Sequence, residues 1–142
     1  MAKLIRDITE ITRCGSQYRA EHLARMGLKG CHASYLLEIC TDPGISQETL
    51  AKRICINKSN IARQTAALEE AGFVTRSPSQ TDKRIMRLYP TEKTLALLPE
   101  IRQTLSDWSR YITQDLSSQE REQLASILVK MKGRATTWME EH

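Results

Sequence analysis

Residues Ile45 to Arg76 read Ile-Ser-Gln-Glu-Thr-Leu-Ala-Lys-Arg-Ile-Cys-Ile-Asn-Lys-Ser-Asn-Ile-Ala-Arg-Gln-Thr-Ala-Ala-Leu-Glu-Glu-Ala-Gly-Phe-Val-Thr-Arg. Ser46 is a good N-cap for a short helix through Ile54, because its hydroxyl can accept one of the free N–H groups of a first turn. Asn57 offers the same for a second helix, in which Ile61, Thr65 and Leu68 share one face. Gly72 stands where a helix ends on a left-handed residue. Phe73–Ser77 and Ile85–Tyr89 then read as two short strands around the polar, basic loop of Pro78 to Arg84, and Pro90 ends the second. Helix, turn, helix and basic hairpin in this order predict a winged helix-turn-helix. In that architecture one helix enters the major groove of DNA and the hairpin lies beside it.

The charge is placed accordingly. The 142-residue chain has a formal net charge of +4. Between residues 52 and 87 lie Lys52, Arg53, Lys58, Arg63, Arg76, Lys83, Arg84 and Arg87, against Glu69, Glu70 and Asp82, so the local excess is larger than that of the whole chain. A basic patch of this kind suits a polyanion. With 40% hydrophobic and 27% charged residues, the composition is that of a globular domain. The N-terminus mixes charges into its apolar pattern, without a secretory apolar core, and no apolar run is long enough for a membrane span. The expectation is a cytoplasmic protein with no membrane partner.

Outside the central stretch the chain reads as helices. Residues 3–25 carry Leu4, Ile5, Ile8, Ile11, Gly15 and Tyr18 at spacings of three and four, ending at Gly27 and Gly30. A helix from about Cys31 to Cys40 turns Tyr35, Leu36 and Ile39 inward, and Thr41-Asp42-Pro43-Gly44 is a turn. Thr91 caps a long helix bearing Leu98, Ile101, Leu105, Trp108 and Ile112. Ser117 and Glu120 make a capping box for a last helix bearing Leu124, Ile127, Leu128, Met131, Ala135 and Trp138. The winged module has its own small core, so these stripes need another surface, and a homodimer interleaving the first and the last two helices would supply it. The fold expected is mainly α with a small β-hairpin wing. Its parts are an N-terminal dimerisation helix in residues 1–30, a winged helix-turn-helix in 31–90 and C-terminal dimerisation helices in 91–142.

The chain resembles the MarR family (multiple-antibiotic-resistance-type regulators). The likeness is carried by Asn57-Lys58-Ser59-Asn60-Ile61-Ala62-Arg63, by Leu68-Glu69-x-x-Gly72-Phe73-Val74-x-Arg76, by Asp82-x-Arg84 and by Thr91-Glu92-Lys93. It departs at Pro90, where the family usually has Leu, and at Thr94, where it often has Gly. The resemblance implies a dimeric transcription factor, most often a repressor, that binds a pseudo-palindromic operator. It also implies release by a small phenolic ligand, by an oxidant or by a metal. A cleft between the long helices and the winged module would take a small aromatic or anionic effector, near Arg13, Tyr18, His32 and Tyr35.

On the helix after Asn57, Lys58 and Ser59 sit where backbone N–H groups and the helix dipole favour a phosphate. Asn60, Arg63 and Gln64 have hydrogen-bonding forks that suit base edges, Arg toward guanine and Asn or Gln toward adenine. Arg84 is the candidate for a narrow minor groove. Asp82 would hold Arg84 or the hairpin in shape, while Lys83, Arg76 and Arg87 would meet phosphates.

Other readings use fewer residues. A redox-sensing regulator of the same fold would rest on Cys14 near Tyr18, and a metal site on His22, Cys31 and His32, whose spacing matches no known ligand pattern. Cys14, Cys31, Cys40 and Cys55 form no CxxC pair. A winged-helix module for protein contact alone would not need a basic wing tip. With no phosphate-cradling glycine loop, no clustered carboxylates and three histidines in all, neither an enzyme nor a bound metal or cofactor is expected.

Overall fold

A computed structural model describes residues 1–142. In chain order it contains α1 (Ala2–Leu23), a 3₁₀ turn (Ala24–Met26), α2 (His32–Thr41), β1 (Ile45–Ser46), α3 (Gln47–Arg53), α4 (Lys58–Glu70), β2 (Val74–Pro78), β3 (Met86–Pro90), α5 (Glu92–Ile112) and α6 (Ser118–Glu141). The chain divides into two compact units, Met1–Leu105 and Ser106–His142.

In the first unit the core gathers Leu23, Met26 and Leu28 from the end of α1 and its exit, Tyr35, Leu36 and Ile39 from α2, Leu50 from α3, Ile61 and Leu68 from α4, Phe73, Val74 and Leu88 around the sheet, and Ile101 from α5. The end of α1 and the first part of α5 therefore share a core with the winged module. Gly30 shows how close the approach is: a Cβ there would stand 3.0 Å from the backbone nitrogen of Ala20 and 3.1 Å from the carbonyl oxygen of Ser16. The Cβ of any larger residue would crowd the α1 backbone, which would have to give by a few tenths of an ångström.

The sheet has one strand more than the hairpin foreseen. Its order is β1-β3-β2, all antiparallel, with Ile45 opposite Leu88 and Thr75 opposite Tyr89. A two-residue strand leaves no periodicity to read, so only the tertiary fold reveals it. Pro90 does not stop β3 before its end; it is the last strand residue and lies opposite Val74. As a terminal strand residue it need not donate to the ladder.

The join between α4 and α5 is built from carbonyls that α4 and β2 leave open. Gly72 takes φ +86°, the left-handed conformation that glycine adopts without a Cβ penalty. The Thr91 hydroxyl donates to the Gly72 carbonyl at 2.7 Å, Lys93 Nζ to that of Ala71 at 3.0 Å and the buried Thr94 hydroxyl to that of Phe73 at 2.5 Å. At Thr94, where the family often has Gly, the hydroxyl thus adds a donor to a carbonyl that also accepts from the Thr91 N–H at 3.2 Å. Pro99 sits inside α5 and leaves the Leu95 carbonyl without its helical donor.

In the second unit, α6 opens on the foreseen capping box. The Ser117 hydroxyl accepts from the Glu120 N–H at 3.1 Å, and the Glu120 carboxylate accepts from the Ser117 N–H at 2.9 Å. None of the residues of α6 is buried. No helix of the chain is long and apolar enough to cross a membrane.

Candidate nucleic-acid interface

α3, the turn after it and α4 form the helix-turn-helix. The Ser46 hydroxyl accepts from the Thr49 N–H at 3.0 Å, and the Asn57 side-chain oxygen accepts from the Asn60 N–H at 2.8 Å. Both caps stand where the sequence puts them. Between the helices Cys55 takes φ +57°, and the Ile56 N–H reaches back to the Ala51 carbonyl at 2.9 Å. That bond satisfies a carbonyl that the end of α3 would otherwise leave open.

Ile61, Thr65 and Leu68 are buried, so α4 presents Lys58, Ser59 and Arg63 outward. Asn60 is half-buried, and its side-chain oxygen accepts from Arg63 Nη2 at 3.0 Å. The Ser59 hydroxyl donates to the Asn57 cap at 2.9 Å. The first turn of α4 is thereby ordered with its remaining N–H groups and the Lys58 ammonium facing out, an arrangement that suits an anion.

The wing tip is organised by Asp82. Its carboxylate accepts from the Arg84 N–H at 3.0 Å, from Arg84 Nε at 3.1 Å and from Arg84 Nη2 at 3.1 Å. The Arg84 side chain and its backbone N–H together hold the Asp82 carboxyl below the usual carboxylate range. The Arg84 side chain is nonetheless 91% exposed. Lys83 is exposed beside it. Lys58 and Arg84, 26 positions apart in the sequence, line one cleft of about 200 Å³ with Ser46, Gln47, Glu48, Ile61, Ile85 and Met86. The start of α4 and the basic wing therefore open onto a common surface.

Other polar residues of the module have partners within the protein. Gln64 lies on the flank of the buried face of α4, where its side-chain oxygen meets His32 Nε2 on α2 at 2.9 Å. The Lys29 N–H donates to His32 Nδ1 at 3.2 Å. The proton of the neutral ring is therefore on Nε2, and His32 is the donor to Gln64. Burial lowers the His32 pKa from its ordinary value, with Lys29 acting the same way and the Gln64 bond opposing it. Gln64 thus braces α4 against α2 through its side-chain oxygen.

Arg76 is also engaged within the protein. Its guanidinium is held by Glu69 and Gln47, and its side chain is only 23% exposed. Arg87 donates to the Gly44 carbonyl at 3.0 Å, tying β3 to the turn before β1. Arg53 pairs with Asp42 at 3.1 Å and Glu38 at 3.6 Å, and Lys52 stands 3.8 Å from Glu48. Sequence spacing showed the polar face of α4 but not which neighbours reach its flanks. The partners it missed, Gln47 and Glu69 toward Arg76 and His32 toward Gln64, carried no local signal.

The residues expected near an effector fall into two pairings. Tyr18 stacks on His22 with ring centroids 3.9 Å apart, and His32 meets Tyr35 edge to face at 6.2 Å. Arg13 is exposed, whereas His32 and Tyr35 are buried. Burial also raises the Tyr35 pKa. Cys14, Cys31 and Cys55 are exposed free thiols, and Cys40 is half-buried. His22, Cys31 and His32 do not gather into a group able to hold a metal ion.

Known proteins share this arrangement. Residues 32–86 match the model of the MarR family. A crystal structure of the transcriptional regulator SlyA is 31% identical, covers 96% of each chain and superposes with a TM-score of 0.93. The chain belongs to the MarR family. A MarR family regulator from Listeria monocytogenes, crystallised with a 26mer DNA, is 26% identical with a TM-score of 0.89, over 94% of this chain and 89% of that one. The HTH-type transcriptional regulator YybA of Bacillus subtilis (strain 168) is 28% identical over 132 residues, 93% of this chain and 88% of YybA. The named relatives are regulators of transcription.

Proposed function

We propose that this chain is a sequence-specific, DNA-binding repressor that works in the cytoplasm as a homodimer on a two-half-site operator. The observation that carries this reading is the common cleft of Lys58 and Arg84, which joins the capped start of α4 to the Asp82-held wing tip. The Listeria relative crystallised with DNA supports the choice of partner. Residues 31–90 would read DNA, and residues 1–30 and 91–142 would hold the dimer. Lys58, Ser59, Lys83 and Arg87 meet phosphates, Asn60 and Arg63 read base edges, and Arg84 enters a minor groove, with Asp82 shaping it. Half-sites lie about one helical turn apart, so that both copies of α4 reach one face of the duplex. A small aromatic or anionic effector binding near His32 and Tyr35 would relieve repression. It does so only if it favours a dimer whose two α4 helices are wrongly spaced, since equal affinity for both states shifts nothing.

The test is fluorescence anisotropy over a salt series, on a duplex selected by the protein from a random pool and on its scrambled counterpart. Arg63→Ala should erode the preference for the selected duplex by about 1–3 kcal/mol per half-site. Lys58→Ala should weaken both duplexes alike and flatten the salt slope by about one unit for each phosphate no longer neutralised. Equal losses from the two variants on both duplexes would remove Arg63 from base reading. Absence of any salt-dependent binding would remove DNA as the partner.

A further inference from the structure

Where α3, α4 and β2 meet, one side chain links all three. The Arg76 N–H donates to Glu69 Oε2 at 3.0 Å, and Nε and Nη2 both donate to Glu69 Oε1 at 3.2 Å. Nη1 turns the other way and donates to Gln47 Oε1 at 3.2 Å. That same oxygen accepts from the Thr65 hydroxyl at 2.9 Å. Gln47 is the first residue of α3, and Thr65 and Glu69 stand one turn apart on α4. We propose that Arg76 is a positioning residue for DNA reading. In this role it sets the angle at which α3 and the wing present α4, and it does not contact phosphate.

The inference rests on the DNA-reading function above and says how that site keeps its geometry. A guanidinium has a rigid planar fork, so donors at fixed angles can key a carboxylate on one element and an amide on another. The single proton of the Thr65 hydroxyl is shared between Gln47 and the α4 carbonyls of Ile61 at 2.8 Å and Ala62 at 3.2 Å, which ties the Gln47 side chain to the α4 backbone. Glu69 cancels the charge of Arg76 where a phosphate contact would need it. A base-reading helix is sensitive to such keying, because small displacements of reacting or binding groups are costly.

Arg76→Lys separates the possibilities, since lysine keeps the charge, still serves a phosphate and loses the fork. Thr65→Val is the second variant. It keeps the buried volume, removes the donor to Gln47 and cannot touch DNA, because Thr65 is fully buried. Both are measured by anisotropy on the selected and scrambled duplexes over a salt series, with melting temperature recorded for each. Arg76→Lys should lose roughly tenfold of its preference for the selected duplex, the scale of one good base contact. Binding to the scrambled duplex and the salt slope should stay as in the wild type. Thr65→Val should move the preference in the same direction by a smaller factor. The proposal is overturned if both variants keep the wild-type preference, or if affinity falls only in step with the folded fraction. It is also overturned if Arg76→Ala flattens the salt slope on both duplexes, which would make Arg76 a phosphate contact. A wild-type protein that does not distinguish the two duplexes would instead refute the DNA-reading function itself.

Discussion

Ile127→Asp should split the proposed dimer while leaving the winged module folded. Ile127 belongs to the α6 stripe with Leu124, Leu128, Met131 and Trp138, and 52% of it is exposed. Fully burying an isoleucine side chain is worth about 1.5–3 kcal/mol, so covering the open half is worth about 1 kcal/mol in each copy. An aspartate there must also be neutralised or desolvated on association, at a cost of at least about 2 kcal/mol per copy. Two copies bring the total to about 6 kcal/mol, or roughly four decades in Kd. The wild type should sediment at equilibrium with twice the mass of one chain, and Ile127→Asp with the mass of one. Val129→Asp is the control. Val129 is exposed too, but it lies roughly 200° around the helix from Ile127 and so off the stripe. Its Kd should stay within about tenfold of the wild type. The reasoning fails if the wild type is a monomer, if Ile127→Asp dimerises unchanged, or if both aspartates dissociate the dimer equally.

Because burial depresses the His32 pKa, the unfolded chain takes the proton first as pH falls. The stability that His32 contributes is complete above the ordinary value of about 6.5 and is lost as pH falls from there through the lower folded value. The wild-type melting temperature should therefore drop more steeply than that of His32→Asn as pH falls below about 7; parallel curves would remove the burial of His32 as the cause. Asn57→Ala should lower stability by about 1 kcal/mol in urea unfolding, as it deletes the acceptor for the Asn60 N–H. A change below a few tenths would mean that water replaces the cap without loss.

The helices, their caps and the wing were legible in the sequence because their signals are local. Ser46, Asn57 and Ser117 each cap a helix through an N–H three residues away, and Asp82 holds an arginine two residues away. Ile61, Thr65 and Leu68 mark the buried face of α4 by period alone. The family, too, was written in short motifs within that stretch. Tertiary structure decided what lies across the chain. It added β1 to the sheet opposite Leu88, turned Gln64 toward His32 and closed Arg76 onto Glu69 and Gln47. Those partners stand between 7 and 43 positions apart, and no periodic pattern records which polar side chain will meet which. A charged residue has the same letter whether it faces phosphate or a carboxylate of its own chain. The sequence by itself determined that a basic winged helix would form; only the packing of α2, α3 and β2 around α4 decided which of its polar residues are held by partners within the protein.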